Sequence, residues 1–272
     1  MMASRRKLIG VGVGLRHEHL ADIVAQQPDV PWFEVLVDNW MVQGGLDRSA
    51  LHGIAEQYPL AFHGVNLNLG GVDPLDWDYL KAIRELMRDC QVVHYSEHAC
   101  FSRYQQDRFF DLCPLPFTEE MAVHLADRIA SVQDFLGQRI LLENVSRYLN
   151  YQDSYLSEAE FLAMVAKRAD CLLLLDINNL YVNSVNHGDS VDAFLQTLAA
   201  DSVAEIHLAG YEEKDGFLLD THSRAVCDNV WQWYEAALAC FGPVPTLIEW
   251  DHDLPAWKIL QAERLKAEAR WR

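Results

Sequence analysis

The chain has 272 residues, half of them hydrophobic, with 40 acidic side chains against 22 basic ones and a net charge of −18. That length suits one α/β barrel of ~250 residues better than two small domains, and a surface this acidic repels phosphates and disfavours nucleic acid as a partner. No run approaches the ~18 apolar residues of a membrane span, and the short apolar stretch at 8–15 has no cleavage pattern behind it, so a cytoplasmic protein with no membrane partner is expected.

Arg5, Arg6 and Lys7 read as a solvated basic tail. After them, short apolar runs rich in β-branched residues alternate with amphipathic stretches. The runs lie at 8–14, 32–37, 60–65, 91–97, 139–144, 171–176, 203–208 and 244–250. Gly10, Gly12 and Gly14 lack the third, helix-side glycine of a dinucleotide fingerprint. Among the helical stretches 118–136 is the clearest, with Met121, Leu125, Ile129, Val132 and Leu136 in one stripe. Thr118 can cap it, Glu119 and Glu120 suit its positive end, and Gly137 suits its stop. Ser157 to Glu160 fits a capping box. Gly242-Pro243 ends a helix at 229–240, and Pro255 fits the first turn of a last helix, 255–270. The six cysteines show no C-x-x-C spacing and read as reduced thiols. Eight runs alternating with eight helical stretches imply a parallel sheet, and Leu172-Leu173-Leu174-Leu175 fits burial on both faces. The count favours closure into a TIM-type (β/α)8 barrel, one domain over 1–272.

The active site of such a barrel lies at the C-terminal ends of its strands, and nearly every run here ends in a potential metal ligand. The second carries Glu34 and leads into Asp38-Asn39. The third ends in His63, the fourth in Ser96-Glu97-His98, the fifth in Glu143-Asn144. The sixth ends in Asp176, with Asn178 and Asn179 just after it; the seventh carries His207; the eighth carries Glu249 and Asp251. Asp220 and His222 follow in a loop. His187 lies on the loop after the sixth run, within reach of the site. His94 shares a face with Ser96 and His98 and is expected in the barrel interior, a layer below. Several buried carboxylates together are costly unless cations neutralise them. Imidazole with carboxylate suits zinc, iron or manganese, and the donors are too many for one ion, so two or three are expected.

The strings Phe62-His63-Gly64-Val65, Ser96-Glu97-His98, Leu141-Leu142-Glu143-Asn144, Leu175-Asp176-Ile177-Asn178-Asn179, Val185-Asn186-His187-Gly188, Glu205-Ile206-His207-Leu208-Ala209-Gly210, Asp220-Thr221-His222 and Ile248-Glu249-Trp250-Asp251 together resemble the multinuclear non-haem iron-dependent oxidative enzymes, the family of the methanobactin-biosynthesis iron oxidase. The resemblance runs in order from Gly10 to the last helix. It implies a xylose-isomerase-like barrel with two or three irons. His63, His98, Glu143, Asp176, His207 and Glu249 would be the core ligands, with Glu143 as a bridge. Asp220 and His222, with Asn179 or His187, would hold a further ion. Glu34, Asn39, Asn66, Glu97, Asn144, Asn178 and Asp251 would contact substrate or support the ligands. It further implies dioxygen as co-substrate, a cysteine-containing ribosomally made precursor peptide as substrate, and a smaller leader-binding protein as heterodimer partner. Asp38-Asn39-Trp40, Asn66 and Ala99-Cys100-Phe101 depart from the family pattern; none is a core ligand, so they bear on substrate identity.

Two other readings stand beside this one. A zinc- or manganese-dependent hydrolase or isomerase, xylose-isomerase-like or abasic-site nuclease-like, would want a lysine at a strand end or a basic face, and neither is evident. A non-catalytic metal-dependent peptide-binding protein would saturate its ions with protein donors, whereas a catalytic site keeps open positions.

Overall fold

The computed structural model describes residues 7–41 and 45–271. Arg5 and Arg6 lie outside the described residues, and Lys7 is exposed. The eight expected runs all form strands: β1 (Val11–Leu15), β2 (Phe33–Leu36), β3 (Leu60–Gly64), β4 (Tyr95–His98), β5 (Leu141–Glu143), β6 (Leu172–Asp176), β7 (Val203–Leu208) and β8 (Thr246–Ile248). They pair in parallel in chain order, and β8 returns to β1, closing a barrel. Gly12 stays bare because a Cβ there would lie 2.5 Å from the Trp32 indole. This close approach, not a nucleotide, accounts for the glycine.

Among the described residues nine helices surround the barrel: α1 (Leu20–Gln26), α2 (Gly45–Gln57), α3 (Trp77–Cys90), α4 (Glu119–Leu136), α5 (Glu158–Ala169), α6 (Ile177–His187), α7 (Val191–Thr197), α8 (Asp228–Phe241) and α9 (Trp257–Arg270). The expected caps hold. Thr118 Oγ1 accepts from the Met121 N–H, and Gly137 ends α4 in the left-handed region at φ 75°. Ser157 and Glu160 form a reciprocal capping box on α5. Pro255 is corrected: it precedes the Ala256 cap of α9 rather than lying in its first turn, and its carbonyl meets His19 Nε2 at 2.8 Å.

The stretch after β6 is also corrected. It is no loop: α6 starts directly from the strand. The Asp176 side chain accepts from the Asn179 N–H as N-cap, Ile177 and Leu180 bury one face, and Gly188 closes the helix at φ 79°. Two hairpins interrupt the alternation, Cys100–Tyr104 with Asp107–Pro114 after β4, and Glu212–Lys214 with Phe217–Leu219 after β7.

Candidate metal centre

Parallel register sets the site. His98 is the ladder partner of Glu143, and Asp176 of His207, so the strands bring these side chains level at the C-terminal mouth. His63, His98, Glu143, Asp176, His207 and Glu249 are all buried there.

In the first group, His63 Nε2 and His98 Nε2 lie 3.3 Å apart, and each is 3.2 Å from Glu143 Oε2. Their outer nitrogens are spoken for. His98 Nδ1 lies 3.2 Å from the Gly64 carbonyl, which can only accept. His63 Nδ1 lies 2.7 Å from Ser96 Oγ, whose own proton goes to the Phe62 carbonyl at 3.3 Å. Both protons therefore belong on Nδ1, leaving two unprotonated nitrogens aimed at the centre.

Glu143 turns its other oxygen to the second group, where Oε1 is 3.6 Å from His207 Nδ1 and Glu249 Oε2 is 3.0 Å from the same nitrogen. Asp176 Oδ1 is held by the Asn179 N–H at 2.6 Å. Asn144 pins the Asp176 backbone from both sides, accepting its N–H at 2.9 Å and donating to its carbonyl at 3.0 Å. In a third group His222 Nδ1 lies 3.1 Å from Glu249 Oε2 and 3.3 Å from Asp251 Oδ2, while its Nε2 lies 2.7 Å from Asp220 Oδ1. Asn178 Nδ2 donates to that Asp220 oxygen at 2.7 Å.

The groups His63–His98–Glu143, Glu143–Asp176–His207–Glu249 and His222–Glu249–Asp251 each place their donor atoms close enough to hold one ion. Glu143 Oε2, Asp176 Oδ2 and Asn179 Oδ1 are buried without a hydrogen-bond partner. Orphan acceptors at that depth are costly, and cations between them would satisfy the set. The same crowding shifts the protonation of the cluster. Burial pushes Glu143 well above the usual carboxylate range, and Glu34 and Asp176 up to about 7. Burial likewise takes His63 well below its usual value and His98 down to about 4, leaving both rings neutral. Against burial, the Glu34 and Glu249 carboxylates hold His207 well up, and Asp220 and Glu249 do so for His222.

Several residues differ from expectation. His187, the last residue of α6, is not gathered into the cluster; its ring lies 2.6 Å from the Arg147 carbonyl and 3.2 Å from Asn150. Asn39 is exposed on the short 3-10 turn Val37–Trp40. Glu97 points to the other face of β4, accepting from the Tyr95 hydroxyl at 2.8 Å and from the Leu67 N–H at 3.2 Å, and so braces the loop after β3. Asn66 stands at the rim, donating to Asp38 at 2.8 Å. Glu34 and His94 fall as expected, Glu34 lying 3.2 Å below His207 Nε2 and His94 bonding within the barrel. The partner of His94 is Glu205, a fully buried carboxylate also 3.6 Å from His207 Nε2. Glu205 lies two residues before His207 and so on the same face. Arg16 is the second addition: its guanidinium pairs with Asp251 and lies 3.9 Å from Glu249.

The cavity over these groups is about 170 Å³ and is lined also by Leu36, Val65, Leu112 and Val145. A larger one, about 390 Å³, lies by α5 and α7 around Arg147; that guanidinium is already paired with Asp189 and Glu158, and the convergent donors are elsewhere.

A closed (β/α)8 barrel with buried imidazoles and carboxylates at its C-terminal mouth defines a TIM-type barrel of xylose-isomerase-like fold with a candidate multinuclear metal site. The chain belongs to the MbnB/TglH/ChrH family of RiPP precursor modification enzymes, which it matches over residues 10–272. It is 48% identical over 267 residues to a UPF0276 protein of Acaryochloris marina, covering 98% of this chain and 96% of that one. A UPF0276 protein of Anaeromyxobacter sp. is 42% identical over 268 residues, covering 98% and 95%. Among solved structures it resembles D-allulose 3-epimerase from Methylomonas sp., with a TM-score of 0.63 at 12% identity over 99% and 100% of the two chains. It also resembles endonuclease IV from Thermus thermophilus, with a TM-score of 0.62 at 14% identity over 97% and 98%. These two likenesses carry the fold alone. No helix among the described residues is long and apolar enough to cross a membrane.

Proposed function

We propose that this chain is an iron- and dioxygen-dependent enzyme that modifies a cysteine of a ribosomally synthesised precursor peptide. In this reading two or three irons are held by His63, His98, Glu143, Asp176, His207, Glu249, Asp220 and His222, with Asn179 at hand, and a smaller leader-binding protein acts with the chain as a heterodimer. The observation that carries the reading is Glu143, whose two oxygens face separate donor groups as a bridging carboxylate would. The two histidines and one carboxylate of the first group, with no further protein donor required, match the donor set of oxygen-using non-haem iron sites. Iron bound there would supply one-electron chemistry and open positions for a thiolate and dioxygen.

The chain's own groups do the positioning. Ser96 and the Gly64 carbonyl fix which nitrogens of His63 and His98 face inward. Glu34 and Glu205 receive the lower nitrogen of His207, turning Nδ1 toward Glu143 and Glu249. Asn144 and the start of α6 aim Asp176. Leu36, Val65, Leu112 and Val145 give the cavity an apolar side among its polar groups, with room for one small side chain held close to the donors.

Metal analysis of protein made in iron-rich medium, followed by aerobic and anaerobic incubation with a cysteine-containing precursor peptide and the partner protein, tests the reading. Bound iron with a peptide mass change only in air supports it. Stoichiometric zinc, or an unchanged peptide with iron, partner and air all present, favours the isomerase, nuclease or binding-only readings.

A further inference from the structure

The metal cavity continues outward. Val65, Asp111 and Leu112 line both it and a second cavity of about 210 Å³, whose far wall carries Arg103, Arg108 and Phe109. The two adjoin at these shared residues, side by side along the hairpin strand Asp107–Pro114, and we take them as one groove leading from the metal mouth. Arg108 and Asp111 are three positions apart, about 10 Å of strand, a length that two to three residues of extended peptide would span.

The groove's outer end is unlike the rest of the surface. In a chain of net charge −18, Arg108 has no carboxylate within ion-pair distance among the described residues; its Nη1 reaches only Asn66 Oδ1, at 3.5 Å. Behind it, Arg103 Nε is buried without a partner, and its Nη1 stands 3.9 Å from Asp76. Asp111, at the junction, is turned to its neighbour's Leu112 N–H at 2.8 Å. Phe109 exposes 42% of its surface beside the two arginines. A guanidinium presents a planar fork that matches a carboxylate, and an exposed ring supports the apolar part of a side chain or backbone laid across it.

We infer that the outer end of this groove is a carboxylate subsite. Arg108, backed by Arg103, binds a carboxylate of the substrate peptide two to three residues from the residue seated at the metal mouth, either an acidic side chain or the peptide's C-terminus. The inference rests on the peptide-modifying reading of the mouth and makes Arg108 a specificity-determining residue.

The test uses the full chain, metal-loaded and kept anaerobic, with fluorescein-labelled peptides that carry serine at the reacting position. Without a thiol, the result does not depend on metal–sulfur contact or on oxidation. The peptides are Ser-Ala-Ala-Glu amide, its Gln counterpart, Glu-Ala-Ala-Ser amide and its Gln counterpart, and Ser-Ala-Ala as free acid and as amide. Binding is read by anisotropy at low salt. In at least one pair the carboxylate peptide is expected to bind about tenfold more tightly than the neutral one, and the pair showing the gap identifies the carboxylate's source. Arg108→Glu should erase the gap, while Arg88→Glu, the same charge change at an exposed arginine on α3, should preserve it. No gap in any pair, a gap that survives Arg108→Glu, or one that Arg88→Glu removes equally overturns the subsite. A gap with these properties in a protein that oxidises no peptide would leave the subsite standing and defeat the oxidase proposal alone.

Discussion

His63 Nε2 faces His98 Nε2 at 3.3 Å, with the same Glu143 oxygen 3.2 Å from both. Two lone pairs and an anion pointed at one another repel, so the arrangement calls for a cation or a proton among them. Burial keeps both rings neutral, His98 down to about 4. Replacing His98 by Ala should therefore lower bound metal by about one ion per chain with the far-ultraviolet spectrum unchanged. Glu143→Gln, which touches two groups, should lose more. His187→Ala should lose none. Elemental analysis of the purified variants reads this directly, and a full metal complement in His98→Ala would count against the site.

Metal removal should separate two effects of one residue. Buried Glu143 is pushed well above the usual carboxylate range by desolvation, with Glu249 and Asp176 adding to it against His207. The metal-free protein is thus weakened, because Glu143 must hold a proton that the unfolded chain has already lost. Chelation should lower the Tm of the wild type, and metal at a hundredfold excess over Kd should restore about 2.7 kcal/mol. Glu143→Gln should melt higher than wild type without metal and gain less when metal is added. Thermal melts with chelator and with iron check both signs; a variant that melts lower in both conditions refutes the account.

How much of this was legible in the sequence follows from what a parallel barrel does. It converts the last residue of each apolar run into a neighbour at one mouth, so His63, His98, Glu143, Asp176, His207 and Glu249 could be read as convergent before their distances were known. Glu205 lies a layer below the strand ends, beside His94, and only the period of two from His207 marks it. Arg16 has no lone pair to offer a metal, so a pattern of imidazoles and carboxylates does not mark it. His187 went astray because Asp176 is strand end and helix cap at once. With no loop between, ten residues of helix carry His187 about 15 Å along the axis. Asp215-Gly216 is a strong hairpin dipeptide, but Glu212, Glu213 and Lys214 before it show no apolar alternation. The turn at Gln105 is left-handed without a glycine, so its hairpin leaves little trace.

Arg16 is the internal counter-ion of the eighth strand's carboxylates. Its Nε donates to the Trp250 carbonyl at 3.2 Å, its fork holds Asp251, and its side chain is 8% exposed. Gly14 leaves room for it: a Cβ there would lie 3.1 Å from the guanidinium. Arg16→Leu should cost about 1–3 kcal/mol, since it removes the charged partner of Asp251 and the donor to the Trp250 carbonyl, while His222 stays beside both carboxylates. Gly14→Ala should do the same more weakly by displacing the guanidinium. Urea denaturation of the metal-free proteins measures both, and a loss under about 1 kcal/mol for Arg16→Leu would show that Asp251 and Glu249 do not need it.

Glu158 gives a pH signature away from the metals. It opens α5 inside the protein, 3.5 Å from Arg147 Nε and 3.4 Å from Asn183 Nδ2. Burial raises it to about 7, with Arg147 pulling the other way. The folded state therefore keeps its proton where the unfolded chain has lost it. That contribution is fully present below about 4.5 and is lost as pH rises through the folded value near 7. Glu158→Gln never ionises, and Arg147 keeps Asp189 as a partner. The variant should gain on the wild type between pH 5 and pH 8, by up to about 3 kcal/mol, and the gain should level off above that. Urea unfolding at the two pH values measures it. An equal stability difference at both would mean that Arg147 keeps Glu158 ionised throughout.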